Sequence, residues 1–108
     1  MLEKEMRDKL KRIVEELGKE TTLCRLSEEC SELAQACLKY IRAEKGLTPK
    51  TVKETRENII EEIADVLSVI SQVIYLFGEE SVSKEIEKVQ KYKTDRWYRR
   101  TFISQEEN

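Results

Sequence analysis

The sequence predicts an all-α protein: a four-helix bundle-like domain around a central antiparallel helix hairpin, built to oligomerise. Three observations lead there. Helix-compatible Glu, Lys, Leu and Ile are abundant, and 1 Pro and 3 Gly in 108 residues leave little room for long loops. Apolar residues recur at helical spacing in four successive stretches. Gly46-Leu47-Thr48-Pro49 interrupts that pattern near mid-chain, and the segments either side mirror each other about it. One domain over residues 1–103 is expected, with Ser104–Asn108 as a disordered tail.

The first helix is predicted from about Leu2 to Leu17. Leu2, Met6, Leu10, Ile13, Val14 and Leu17 make its apolar face, and Gly18 stands just past its end. The second is predicted to start near Thr21 or Thr22, either of which can cap it, and to end at Gly46. Its stripe is Leu23, Leu26, Cys30, Leu33, Cys37 and Ile41. Glu29, Glu32 and Ala36 share a separate face beside it, where the small Ala36 leaves room next to the acids. Thr48-Pro49 is a start signal, with Thr as cap and Pro in the first turn. The polar stretch from there to Thr55 reads as a frayed turn or a short separate helix.

The third helix proper reads from Ile59 to Phe77. Its apolar residues, among them Ile60, Ile63, Val66, Leu67, Ile70 and Ile74, wrap nearly all round, so it has to be buried on most sides. One domain of this size supplies too few neighbours, which predicts a homodimer or homotetramer. Gly78 closes this helix, and Ser81 or Ser83 caps a fourth, carrying Val82, Ile86 and Val89 inward. The basic, aromatic stretch from Arg96 to Ile103 is expected to dock on a neighbour or a core edge, since bare Trp97 and Phe102 would form an apolar patch.

Composition narrows the function. Charged residues make up 39% of the chain but net charge is only −2, so the signs are interspersed. Nucleic acid, which asks for a basic face, is not expected as a partner. No apolar run approaches the roughly 20 residues of a membrane span, so no membrane partner is expected either. Met1-Leu2-Glu3-Lys4-Glu5 has neither the basic start nor the apolar centre of a secretory signal. Cys24, Cys30 and Cys37 lack Cys-x-x-Cys spacing and the chain has no His, so zinc and the Glu-x-x-His di-iron pattern find no support. Cys30 and Cys37, seven apart on the stripe, read as core residues, and reduced thiols suit the cytoplasm.

The chemistry gathers in two acid pairs. Glu29 and Glu32, and then Glu62 and Asp65, are each spaced i, i+3, which makes them surface neighbours on a helix. Glu29 and Asp65 lie equally far in sequence from Leu47, and so do Glu32 and Glu62. A fold-back at that point brings four carboxylates to one level between two antiparallel helices. Like charges so close raise each other's pKa. A hard cation with oxygen ligands relieves them, and Mg²⁺ is typically held by carboxylates together with substrate phosphates. Lys39, seven residues beyond Glu32, is either a phosphate ligand or an ordinary surface lysine. Lys88 and Lys91 are plain surface charges unless the acid cluster lies beneath them.

Glu28-Glu29-x-x-Glu32, followed by Glu62-x-x-Asp65 with Val66-Leu67 after it, resembles the motif of the MazG-like nucleotide pyrophosphohydrolases, an all-α superfamily. The resemblance covers roughly Cys24 to Phe77, with a weaker extension to Arg99. It implies that Glu29, Glu32, Glu62 and Asp65 bind Mg²⁺, or Mn²⁺, and that a nucleoside triphosphate, ribose or deoxyribose, is cleaved to the monophosphate and pyrophosphate. A carboxylate not fully engaged by metal, Glu32 or Glu29, is then the candidate general base. Lys39, Lys88 and Lys91 are candidates to steady the phosphate chain as point charges. The family's last helix often has Lys with Asn four residues on; Lys91 matches, and Asp95 stands where Asn would be. Two alternatives stay open: a phosphoribosyl-ATP pyrophosphohydrolase, and a non-catalytic helical interaction module whose acids are merely solvated.

Overall fold

The computed structural model describes residues 3–103, and every regular element among them is helical. The expectations for Leu2 and for Ser104–Asn108 fall outside the described residues. Helix α1 spans Lys4–Leu17, α2 spans Lys19–Glu44 and α3 spans Val52–Tyr98; a π-helical turn, Arg99–Ile103, follows. The chain divides between Leu76 and Phe77 into two compact units. No described helix is long and apolar enough to cross a membrane.

The first unit holds α1, α2 and the arm of α3 up to Leu76. The Gly18 N–H closes α1 onto the Val14 carbonyl at 2.8 Å. Helix α2 then begins at once, at Lys19, two or three residues before the predicted start. Gly18 is its N-cap and no side chain caps it. Thr22 does not cap: it is 1% exposed, and its hydroxyl donates back to the Gly18 carbonyl at 2.8 Å.

Helix α2 ends as predicted around Gly46, by a mechanism visible in two hydrogen bonds. The Leu47 N–H reaches the Arg42 carbonyl at 2.9 Å and the Gly46 N–H reaches Ala43 at 3.1 Å. That pair is the Schellman arrangement, which needs a left-handed residue at the turn. Gly46, at φ 69°, supplies it without a Cβ penalty.

Helix α3 does not wait for Ile59, nor does it start at Thr48-Pro49. It begins at Val52 because Thr51 and Glu54 cap it reciprocally. The Glu54 N–H donates to the Thr51 hydroxyl, and the Thr51 N–H to the Glu54 carboxylate, each at 3.0 Å. This is a capping box, and it satisfies two backbone donors at once. From Val52 on, the polar stretch before Ile59 is therefore part of α3.

Burial on α2 and on the first arm of α3 recurs every seven residues. On α2 the row is Thr22, Glu29, Ala36 and Ala43; on α3 it is Thr55, Glu62 and Val69. Ala36 and Val69 are 1% and 2% exposed, and the two Glu are half-buried. Seven-residue spacing marks the seam of a helix pair. Cys30 and Cys37, read as core residues, stand outside this row and are exposed, as is Cys24. Of the predicted stripe, Leu26 and Leu33 are half-buried, while Leu23, Cys30, Cys37 and Ile41 are exposed in the single chain.

Helix α1 is fastened to this arm by side chains. Buried Gln72 donates its amide Nε2–H to the Leu10 carbonyl at 3.1 Å. Tyr75 donates its hydroxyl to Glu15 at 2.7 Å, and Lys11 stands 5.3 Å from the centre of the Tyr75 ring. Val14, 1% exposed, is the buried apolar residue of α1.

The second unit is the rest of α3 and the π-turn. Gly78 has non-helical φ 105° and ψ 90°, so the predicted break falls where expected. Neither Ser81 nor Ser83 caps a new helix. Both hydroxyls donate to carbonyls one turn back, Gly78 and Glu79. Ile86 and Val89, predicted to face inward, are 38% and 50% exposed, and Val82 is half-buried. A single helix and a turn offer no second layer for them to bury against. Trp97 and Phe102 are exposed too, so in the single chain they dock on no core edge. The Phe102 ring instead lies 4.8 Å from that of Tyr98.

Candidate metal centre

Glu29 occupies the seam row of α2 and Glu62 the seam row of α3. Glu32 stands one turn beyond Glu29 on α2, exposed. Each of the three offers a carboxylate oxygen, and these oxygens all lie within 4.8 Å of one another. Asp65, one turn after Glu62, is exposed, and its charge acts on both Glu29 and Glu62. Helical periodicity places the members of each pair together. The hairpin turn at Gly46 brings the pairs face to face.

This arrangement is electrostatically costly. The Oε2 atoms of Glu29 and Glu62 are both buried and accept no hydrogen bond. Desolvation of these carboxyls pushes both pKa values above the ordinary carboxylate range, and the neighbouring charges of Glu32 and Asp65 push them further. Arg25, one turn before Glu29, partly offsets the rise at Glu29.

A divalent cation fits what is missing. The donor set is all carboxylate oxygen, the hard ligand type that suits Mg²⁺ or Mn²⁺. Two buried oxygens with no donor are what such an ion would satisfy. Among the described residues, Glu29, Glu32 and Glu62 are the cluster whose oxygens approach closely enough to share one ion. Glu28 and Glu61, one residue before each pair, are exposed and outside it.

Lys39 is exposed on α2. Lys88 and Lys91 belong to the second unit, where Lys91 forms an exposed i, i+4 pair with Asp95 at 3.4 Å. The residue that sequence reasoning passed over is Arg25. Its signal was available, since it lies four residues before Glu29 and the two are helix neighbours.

The family model described as the MazG nucleotide pyrophosphohydrolase domain matches residues 17–101. No curated protein and no solved structure matches significantly.

Proposed function

Because the chain belongs to the MazG nucleotide pyrophosphohydrolase domain family, we propose that it hydrolyses a nucleoside or deoxynucleoside triphosphate to the monophosphate and pyrophosphate, using Mg²⁺ or Mn²⁺ held by Glu29, Glu32, Glu62 and Asp65. The observation that carries this reading is the pair of donorless buried oxygens on Glu29 and Glu62, met by Glu32 within 4.8 Å. A solvated acidic face has no need to bury carboxylate oxygens without partners. That argues against the interaction-module alternative.

The reaction adds one water across the bond between the α-phosphorus and its bridging oxygen. The α-phosphorus gains the water oxygen, and pyrophosphate leaves with the bridging one. When bound, the cation supplies charge neutralisation for the phosphate oxygens and polarises them. The protein's own share is positioning and proton transfer. Glu32 is the better placed of the two candidate bases, because its side chain is exposed to water while one oxygen of Glu29 is sealed. It would take the proton of the attacking water. Glu29 and Glu62, on facing helices, would fix the cluster's geometry from both sides of the seam. Lys39, Lys88 and Lys91 are the candidate point charges for the phosphate chain. Alanine substitution of each, read as a change in KM, sorts them.

The exposed apolar residues Ile60, Ile63, Leu67 and Ile70 on α3 support a homodimer or homotetramer as the working form. We place the enzyme in the cytoplasm, where nucleoside triphosphates are made and used.

The test is a panel of nucleoside and deoxynucleoside triphosphates with Mg²⁺ or Mn²⁺, measuring pyrophosphate and orthophosphate separately. Pyrophosphate from at least one nucleotide, lost in Asp65→Asn, is the expected result. Adding phosphoribosyl-ATP to the panel separates the histidine-pathway alternative. A panel that yields no pyrophosphate overturns the proposal.

A further inference from the structure

Arg25 borders the acid cluster on α2, one turn before Glu29. On α2 the seam row runs Thr22, Glu29, Ala36, Ala43, and Arg25 stands between its first two members, half-buried beside Leu26. A half-buried arginine packs its aliphatic stem along the helix surface and keeps its guanidinium at the border with water, where it can meet a charged group. The ion pairs Lys4–Asp8, Lys9–Glu5, Lys84–Glu80 and Lys91–Asp95 are exposed i, i+4 contacts, and none of the four involves Arg25. Its positive charge acts instead on Glu29, at the edge of the acid cluster.

Glu29 is a poor final partner for it. With a cation in the cluster, the Glu29 charge would be spent on that cation, leaving the guanidinium's donors for another anionic partner. A triphosphate arriving beside four acids also needs a cation at the border to offset their repulsion. Arg offers two parallel N–H donors in a fixed fork, which match two oxygens of one phosphoryl group.

We propose that Arg25 is a phosphate-binding residue of the candidate site, its guanidinium taking non-bridging oxygens of the nucleotide's triphosphate next to Glu29. This rests on the pyrophosphohydrolase reading above and adds to it a substrate contact from α2 itself.

Arg25→Gln and Arg25→Lys test it, with Arg42→Gln, an exposed charge on the same helix, as control. Three quantities are read: KM and kcat for the best nucleotide of the panel, calorimetric binding of inorganic pyrophosphate, and the rise in melting temperature with Mg²⁺ alone. Arg25→Gln is expected to raise KM and weaken pyrophosphate binding by about tenfold or more, the size of a lost charged hydrogen bond. Arg25→Lys recovers part of this, because the charge returns without the fork. The Mg²⁺ response should persist or grow, since a positive charge has left the cluster's edge. Arg42→Gln should match the parent.

Parent-like KM and pyrophosphate binding in Arg25→Gln overturn the proposal while leaving the pyrophosphohydrolase reading intact. Loss of the Mg²⁺ response in Arg25→Gln also overturns it, because Arg25 would then be shaping the cluster rather than meeting the substrate. If Arg25→Gln does not fold, Arg25→Lys decides: weaker pyrophosphate binding at an unchanged melting temperature supports the contact, and parent-like binding overturns it. A parent that releases no pyrophosphate from any nucleotide overturns the underlying reading and takes the Arg25 contact with it.

Discussion

Glu32→Gln separates what the acid cluster does for function from what it does to stability. Glu32 has a carboxylate oxygen within 4.8 Å of one on Glu29. Two unit charges at that separation repel by about 0.9 kcal/mol with the full screening of water. The water limit is the fitting one, because Glu32 is exposed and exposed charges interact weakly. The substitution removes this repulsion and keeps the shape. It also places amide N–H donors beside oxygens of Glu29 and Glu62 that now have none. The metal-free variant should therefore be more stable than the parent by about 1 kcal/mol, a rise of roughly 4 °C in melting temperature for a chain of this length. Turnover should fall by about 10²–10⁴-fold, the usual worth of a general base. The stabilisation that Mg²⁺ gives by binding only the folded state should shrink with it. The assays are thermal melts with and without Mg²⁺, and pyrophosphate release under saturating nucleotide. Glu61→Gln is the control: it removes the same charge from an exposed position outside the cluster, and should leave turnover near the parent's. Two results would refute the reasoning. One is a metal-free Glu32→Gln destabilised by several kcal/mol, as expected for a broken buried ion pair. The other is the two variants behaving alike, since the acids would then not be sorted by face.

The pKa shifts give a pH dependence with a definite sign. Glu29 and Glu62 are pushed up on folding, so the native state holds their protons more tightly. Their contribution is fully present below the ordinary carboxylate range and is lost as pH rises through the raised native values. Urea midpoints of the metal-free parent should thus fall, relative to the Glu29→Gln/Glu62→Gln double variant, as pH rises above the ordinary carboxylate range, and saturating Mg²⁺ should flatten the difference; equal slopes without metal would count against the cluster. Leu67→Glu, at a position 58% exposed in the single chain, should reduce the assembly to monomers in sedimentation, and a parent already monomeric at micromolar concentration would remove the oligomer proposal. Thr51→Ala removes one half of the cap that starts α3 and should cost about 1 kcal/mol in a denaturant titration, with turnover at saturating substrate retained.

Local rules written into the sequence determined much of this protein. Helix-forming residues with period-3.6 patterning required an all-helical chain, and Gly46 had to end α2 because only a residue at ease with positive φ closes that turn. The i, i+3 spacing put Glu29 beside Glu32 and Glu62 beside Asp65 before any tertiary contact was considered. Even the true start of α3 was written as Thr51-x-x-Glu54, a capping box hidden behind the louder Thr48-Pro49 signal. Only the tertiary structure decided which face of α2 turns inward. Hydrophobicity ranks Cys30 and Cys37 above Thr22, Ala36 and Ala43, so a reading by burial preference puts the two cysteines in the core, whereas both are exposed in the single chain. Two helices in close approach select small side chains at their seam, and that selection depends on the partner helix rather than on the residue alone. Glu29 and Glu62 share the phase of Ala36 and Thr55, so the same approach that buries the small residues carries two carboxylates out of water.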